Sequence, residues 1–502
     1  CLLLFDSGRY CLAAAGFVFS LLSRESGVMF LLLLFLWHLA RKPDREESVY
    51  RRERKIIGFV FVPLTLVYVV FRFTVLHLSK MQGEPFLIRF LTAQRALLDY
   101  LRLLVWPSSL SMERHLSFIT QVTAAWVIGG FFTLVVLLLL VFFTRKERLF
   151  FLPVCWFLVN YLSVSGMFIP LNGNLSEHWM YLASMGFWIG VVFGIKRFVT
   201  NSLRREKLAL VILSAASLLY ATRSIIRNRD WQDPLSFFQK AIRVSPHSSS
   251  LHHNLGSTLT DRGQHKEALR YFEKAIELNP NFVLALIGAA RCHCHLGNLE
   301  RSLVFYKKAL AIKPDHPFAL FDLATMALEK GDYQQAAKQL NTIFRTSPAF
   351  QPAWRVAGNL ELRLGNSEKA LFFYRRAVKM NPEDDIARNG LGVAYQRLGK
   401  IRESILEFQA ACRLKPDEPG YWQNLAKAYQ QVAQYQASIQ AYQRCLVLSP
   451  DNLEVMNDLG ISLAMAGQVS QAVALWEKVL ETNPDFQPAI ENLRLAQKNL
   501  KR

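Results

Sequence analysis

The sequence predicts an all-α protein: a polytopic α-helical membrane domain followed by an α-solenoid of seven full repeats plus a half or fused first repeat. Three observations predict it. Residues 1–222 are mostly apolar runs split by short basic stretches, the pattern of successive membrane spans. A proline then recurs every thirty-four residues, at Pro246, Pro280, Pro314, Pro348, Pro382, Pro416, Pro450 and Pro484, and a fixed period of that length marks stacked helix pairs. Small and aromatic residues also keep fixed places within the period. The expected organisation is a membrane domain at 1–222, a junction with a first partial repeat at 223–248, seven repeats at 249–486 and a capping helix at 487–502.

At 502 residues the chain has room for two or more domains. Its formal charge of +20 would suit nucleic acid. Much of the excess, however, lies between apolar runs, at 41–55, 145–148 and 196–207. The positive-inside bias of membrane proteins accounts for that placement, so no nucleic-acid partner is expected. Seven cysteines are scattered with no pairing pattern. Cys292, His293, Cys294 and His295 are metal-ligand types, but they fall consecutively on a repeat helix and so point to different faces. No second cluster completes a four-ligand site, and no metal site is read there. The chain opens at Cys1 inside an apolar context and reads as lacking an N-terminal portion.

Apolar segments recur at about 10–22, 27–40, 56–76, 119–143, 149–165, 178–195 and 207–222. Several are shorter than the roughly 20 residues of a spanning helix. The first two, parted by Ser23, Arg24, Glu25, Ser26 and Gly27, read either as spans that end in a polar cavity or as a buried hairpin. Residues 86–106 are apolar too, but Arg89, Thr92, Arg95, Asp99 and Arg102 lie three or four apart and form one polar stripe on a helix. A charge at the bilayer centre costs about 2.5 to 3.5 kcal/mol. This segment is therefore expected at the membrane surface or along a cavity, either as a plain amphipathic helix or as a binder of anionic lipid headgroups.

Topology follows from the basic stretches, read as loops. If all three face the cytoplasm, the 86–106 segment does not span. The loops 23–27, 77–118 and 166–177 then face outward, with everything after residue 222, toward the endoplasmic reticulum lumen or a bacterial periplasm. The outward loops carry Arg24, Glu25, Arg95, Asp99, Glu177 and His178, which are ordinary topology anchors or functional groups at the membrane boundary. Asn174, Leu175 and Ser176 form a glycosylation acceptor triplet on one of them.

Numbering each repeat so that its proline is position 32 aligns the rest. Position 8 holds Gly256, Ala290, Ala324, Gly358, Gly392, Ala426 and Gly460; position 20 holds Ala268, Ser302, Ala336, Ala370, Ser404, Ser438 and Ala472. Two helices approach closely there. Phe272, Tyr306, Leu340, Tyr374, Phe408, Tyr442 and Trp476 fill position 24 and pack each pair on the next. The turn between helices carries Gly263, Gly297, Gly331, Gly365, Gly399 and Gly467, with Ala433 in place of one; glycine suits the left-handed backbone of a helix end. Extending the frame backwards places a second helix at Trp231–Ser245, with Phe238 and Ala241 inward, after a first helix near 215–228. The final span should run into the solenoid without a flexible linker.

These positions resemble tetratricopeptide repeats over about half the chain. In that family the first helix of each pair lines a groove, so the candidate peptide-binding residues are His253, Asn254, Phe321, Arg355, Asn359, Asn389, Gln423, Asn424, Lys427 and Asn457. Their asparagines suit an extended peptide backbone; each residue taken singly reads equally well as a solvated helix face. No nucleophile, acid pair or phosphate loop occurs in the repeats.

Three motifs in the first half extend the resemblance. Ser23-Arg24-Glu25-Ser26-Gly27 is similar to a Ser-Lys-Glu-x-Gly motif, and Trp106-Pro107-Ser108-Ser109-Leu110-Ser111 and Glu177-His178-Trp179-Met180-Tyr181-Leu182 follow in order, with Trp231 at the junction. The ensemble resembles the transmembrane and tetratricopeptide-repeat O-mannosyltransferases, of the GT-C glycosyltransferase fold. That resemblance implies transfer of a sugar from a polyprenyl-phosphate donor to a protein acceptor presented by the repeats. It also implies a catalytic acidic residue in an outward loop upstream of Cys1. Arg24 stands where the family usually has lysine, which keeps the charge and changes the donor geometry. Among the residues present, Glu25, Glu177 and His178 are the catalytic candidates, Arg24, Arg95 and Arg102 suit the donor phosphate, and Glu177 suits a divalent metal. The other reading is a membrane-anchored scaffold that binds protein without catalysis.

Overall fold

The computed structural model describes residues 5, 9–23, 29–40, 47–75, 85–106, 114–115, 118–144, 147–167, 174–175, 180–199 and 203–500. Apart from one two-residue pairing they are helical or connecting. The chain divides into two compact units, Cys1–Gly288 and Ala289–Arg502.

In the first unit, α1 (Tyr10–Ser23) and α2 (Met29–Ala40) precede α3 (Glu47–Ile56), a π-helical turn (Ile57–Phe61) and α4 (Val62–Val75). Phe5, Phe17, Leu34 and Phe61 bury fully among them. Then come α5 (Phe86–Val105), α6 (Ala125–Thr144), α7 (Arg148–Val164), α8 (Tyr181–Val199) and α9 (Leu203–Asp230). The strands β1 (Arg114–His115) and β2 (Asn174–Leu175) pair antiparallel, Arg114 with Leu175 and His115 with Asn174. Thus the backbone of the glycosylation triplet is partly strand-paired, and Ser176 lies outside the described residues.

Glycines set the helix spacing here. The Cβ of an alanine at position 186 would sit 2.6 Å from the Pro153 carbonyl oxygen of α7, and one at 130 would run into the Gln94 backbone of α5. Backbone cannot retreat as a side chain can, so only glycine permits these crossings. Tyr161 of α7 donates its hydroxyl to the Ala93 carbonyl at 2.5 Å, and Ala96, Leu97, Tyr100, Phe157 and Ala183 close the core around it.

Among the described residues, three helices are long and apolar enough to cross a membrane: Arg51–Phe71, Ala125–Thr144 and Arg204–Ile226; Tyr10–Leu21 and Phe150–Val164 are shorter apolar helices. Phe131, Phe132, Phe142 and Phe143 of α6, and Leu208, Leu210, Val211 and Ile212 of α9, are all exposed. So much contiguous apolar surface needs a non-aqueous neighbour. Two basic stretches differ from expectation. Residues 47–56 are helical rather than loop, and α8 carries Lys196 and Arg197 in its last turn. Basic side chains there face solvent from helix ends, where they also complement the helix dipole.

The junction is a three-residue turn. α9 ends at Asp230, and α10 (Pro234–Val244) begins after three residues. Asp233 caps it by accepting from the Leu235 and Ser236 amides, with Pro234 in the first turn. Trp231 therefore sits in the turn, not in the helix. Its ring lies 4.6 Å from that of Phe237, and Phe237, not Phe238, is buried on α10 together with Ala241. The first full repeat follows as α11 (Ser249–Asp261) and α12 (His265–Leu278).

The next pair, α13 (Val283–His295) and α14 (Leu299–Ile312), spans the division between units. The second unit continues through α15 (Pro317–Glu329), α16 (Tyr333–Thr346), α17 (Gln351–Arg363), α18 (Ser367–Met380), α19 (Asp385–Arg397) and α20 (Ile401–Leu414). It ends with α21 (Pro419–Gln431), α22 (Tyr435–Leu448), α23 (Leu453–Met465), α24 (Val469–Thr482) and the single helix α25 (Gln487–Leu500). Every position-20 residue is fully buried, and the position-24 residues, from Phe272 to Trp476, are at most 3% exposed. The turn glycines take φ between 72° and 81°, and Ala433 is forced to φ 57°.

The proline ladder acquires a structural role. The proline carbonyl faces position 4 of the following helix, where a side-chain N–H meets it in four repeats. Trp354, Arg388 and Trp422 donate to Pro348, Pro382 and Pro416 at 3.0, 2.8 and 2.9 Å, and His252 Nε2 lies 2.9 Å from the Pro246 oxygen. Each bond satisfies a carbonyl left over at a helix end and ties one repeat to the next.

Candidate functional site

The first helices of the second unit carry a polar ladder that runs from repeat to repeat. A residue on one first helix pairs with position 6 of the next, because helices stacked at a fixed offset bring the same two faces together each time. Arg291 grips Asp322 with two bonds, at 2.6 and 3.2 Å, and the Tyr306 hydroxyl adds a third at 3.0 Å. Burial works against the Arg291 charge, yet the bonds from Asp322 hold its pKa above the ordinary value. Burial, reinforced by Asp322, likewise pushes the Tyr306 phenol up, so it stays a donor. Asn424 donates to Asn389 at 2.9 Å, Asn492 to Asn457 at 2.9 Å, and Lys427 lies 3.6 Å from Asp458. Arg355 lies 3.5 Å from Asp384, which also accepts from Gln351 at 2.7 Å.

Several expected groove residues are thus committed to neighbours. Asn359 accepts from the Tyr374 hydroxyl. Asn457 is 5% exposed, its carbonyl accepts from Trp476, and its side chain binds Asn492. Phe321 packs edge-on against Phe350. Gln423 is half-buried and forms no side-chain hydrogen bond with another described residue. In the first unit His253 lies between the Phe272 and Phe282 rings, and burial pulls its pKa below the usual histidine value. Asn254 is half-buried beside it, its carbonyl taken by Thr258. The acidic partners Asp322, Asp384 and Asp458 were missed from sequence. Their signal is an acid or amide at position 6 facing a base on the previous repeat, or at position 34 facing a base on its own repeat.

On the membrane side, Arg24, Glu25, Glu177 and His178 lie outside the described residues. Arg95 and Arg102 sit on α5. Arg95 Nε is 3.7 Å from Asp99, one turn on, with both partly exposed. Arg102 is exposed in the last turn. Thr92 on the same stripe accepts from the Ile119 amide at 3.1 Å. The opposite face of α5, with Leu91, Ala93, Ala96, Leu97 and Tyr100, is buried in the bundle. One pair went unread in the sequence: His38 of α2 and Glu53 of α3 approach to 3.6 Å, both deeply buried. Cys292 and His293 are buried, His293 against Phe305. Among the described residues no group of three or more His, Cys, Asp or Glu is placed to hold a metal.

Tetratricopeptide-repeat models match residues 249–282, 297–360 and 357–419, and a model of YpiA-like, C-terminal tetratricopeptide repeats matches 419–485. These stretches are tetratricopeptide repeats. It is similar to protein O-mannosyl-transferase TMTC4 of Mus musculus, 27% identical over 25% of this chain and 17% of the relative. To Tmtc3 of Drosophila melanogaster it is 28% identical, over 25% of this chain and 14% of the relative. TMTC1 of Homo sapiens is 26% identical, over 36% of this chain and 22% of the relative. The matches therefore span less than a quarter of each of these relatives. Among solved structures, YrrB, described as a tetratricopeptide-repeat protein with an unusual peptide-binding site, is 23% identical over 37% of this chain and 95% of its own, at TM-score 0.32. A tetratricopeptide-repeat protein from Parabacteroides merdae is 18% identical over 50% of this chain and 98% of its own, at TM-score 0.36. Repeats of this kind generally bind peptides or proteins.

Proposed function

We propose that the chain is part of a membrane glycosyltransferase that moves a sugar from a polyprenyl-phosphate donor to a protein acceptor held by the repeat groove. The observation that carries this reading is the junction. The apolar helix α9 continues to Asp230, and the first repeat helix starts at Pro234, so no flexible tether separates the helix from the repeats. An acceptor bound there would be held at the membrane rather than on a loose arm. Similarity to protein O-mannosyl-transferases supports the chemistry, and Arg95 and Arg102 on α5 supply cations for a phosphate. In this reading the chain crosses the membrane several times, with the repeats on the lumenal or periplasmic side. Glu25, Glu177 and His178 organise the site, with or without a divalent metal at Glu177.

The test is transfer of radiolabelled sugar from defined polyprenyl-phosphate sugars to co-reconstituted acceptor proteins, with the protein in membranes. Transfer that drops in Arg95→Gln, while binding of acceptor persists, supports the proposal. Acceptor binding without transfer from any donor, in folded protein, refutes it in favour of the membrane-anchored scaffold.

A further inference from the structure

The second helices of successive repeats leave a slot between them, floored by position 4 of the intervening first helix and walled by position 28 before it and position 23 after it. Three of the slots within the second unit are filled. Trp354 is covered by Phe344 and Phe373, with ring centroids 4.3 and 6.1 Å away. One repeat on, Arg388 pairs with Glu407 at 2.9 Å. Near the end Met456 is buried, with Leu446 and Leu475 packed against the same core.

The slot between α20 and α22 is different. Its floor is again a tryptophan, Trp422, but the walls that elsewhere carry Phe344 and Phe373 are here Cys412 and Ala441. The result is an open cavity of about 820 Å³, of the size that holds a small ligand or an anchor side chain. Arg413 and Arg444 stand at its rim, no acidic residue lines it, and neither arginine forms an ion pair with another described residue. It lies on the face of α21 opposite Gln423 and Lys427, since positions 4, 7 and 11 fall on the other side of a helix from 5 and 9.

We propose that this slot is a second peptide-docking site, which takes an aromatic anchor residue of an acidic segment in a partner protein. The molecule itself shows what fits, because two phenylalanines fill the same slot over a tryptophan two repeats earlier. Unpaired arginines select the charge, and a buried aromatic anchor beside a charge contact is how small peptide sites concentrate affinity. The site is independent of the first-helix groove and of any transferase chemistry.

The test uses the full chain in detergent and a fluorescein-labelled peptide with one phenylalanine flanked by aspartates and glutamates. Saturable binding is expected, weakened roughly tenfold or more when the acids become amides or the phenylalanine becomes alanine. The paired change Cys412→Phe with Ala441→Phe copies the filled slot and should abolish binding with helicity unchanged. The exposed pair Arg413→Gln and Arg444→Gln provides a second variant that leaves packing alone, and should weaken binding and reduce its salt dependence. Lys338→Gln, an exposed change on α16 in neither site, should leave it unchanged. Absence of binding to the natural protein, equal binding of the neutral peptide, or binding that survives the filled slot would each overturn the proposal. So would concentration-dependent self-association lost on filling the slot, which would make a second copy the occupant.

Discussion

Tyr374 is wedged between two glycines, and replacing one of them tests how the repeats are packed. Gly358 lies in the same repeat and Gly390 in the next, and a Cβ at either would strike the Tyr374 ring. At Gly358 the new carbon would sit 2.7 Å from Cζ and 2.8 Å from Cε1 and Cε2, against an ordinary carbon contact of about 3.5 Å or more. The ring cannot slide away, since Gly390 backs it and its hydroxyl is bonded to Asn359. Overpacking of this kind costs about 1 to 3 kcal/mol. Alanine in a helix returns about 0.5 to 1 kcal/mol relative to glycine, which leaves Gly358→Ala destabilised by roughly 0.5 to 2 kcal/mol. The control is written in the chain. Leu340 has Ala324 at position 8, fully buried, while Tyr306 and Tyr442 have Ala290 and Ala426 beside rings whose hydroxyls bond elsewhere, to Asp322 and Gln430 rather than to the residue after position 8. Tyr374→Leu alone should lose stability to a cavity, but combined with Gly358→Ala it should recover about 1 to 3 kcal/mol relative to the sum of the single changes. Because solenoid repeats open locally, the assay is native-state hydrogen exchange of amides in α17 to α19 in the intact chain. Additivity within about 0.5 kcal/mol would refute the wedge.

Ala433 at φ 57° bears a left-handed backbone that costs an L-residue about 1 to 2 kcal/mol. Ala433→Gly should therefore raise local stability in α21 and α22 by a few tenths to about 1 kcal/mol after the entropy of glycine is subtracted, whereas Gly467→Ala should lower it at the neighbouring turn; exchange rates on both sides of each turn read the sign. Burial holds the His253 pKa below the usual histidine value in the folded protein. The unfolded chain takes up a proton as pH falls through about 6.5, so this residue's contribution is present above that pH and fades below it. Thermal unfolding from pH 7.5 to 5 should show a shallower acid decline in His253→Phe, and identical pH profiles would rule the assignment out.

The same comparison shows what reaches from sequence to structure. Ala433 was legible as the exception among turn glycines, and its positive φ follows because the turn needs that backbone whatever residue occupies it. The position-20 and position-24 columns were legible for a similar reason, since each is buried by contacts inside its own repeat or the next. Trp231 and Phe238 were misplaced, because the helix start is decided by an aspartate cap and a proline three residues on, which the thirty-four-residue frame does not encode. The basic stretch at 41–55 was taken for loop, though Glu47–Ile56 is helical, because charge marks topology but does not exclude helix.

The sequence alone determined the all-α class, the repeat register and the near absence of a linker, because these rest on periodicity and nearest-neighbour contacts. It could not decide which groove residues are spent on one another. Asn457 and Gln423 look alike in sequence, yet one is buried against Trp476 and Asn492 and the other has no such partner. Nor could it show that Cys412 and Ala441, two unremarkable small residues, leave an open slot over Trp422. Pairing and cavity volume depend on three helices at once, so only the tertiary structure decides them.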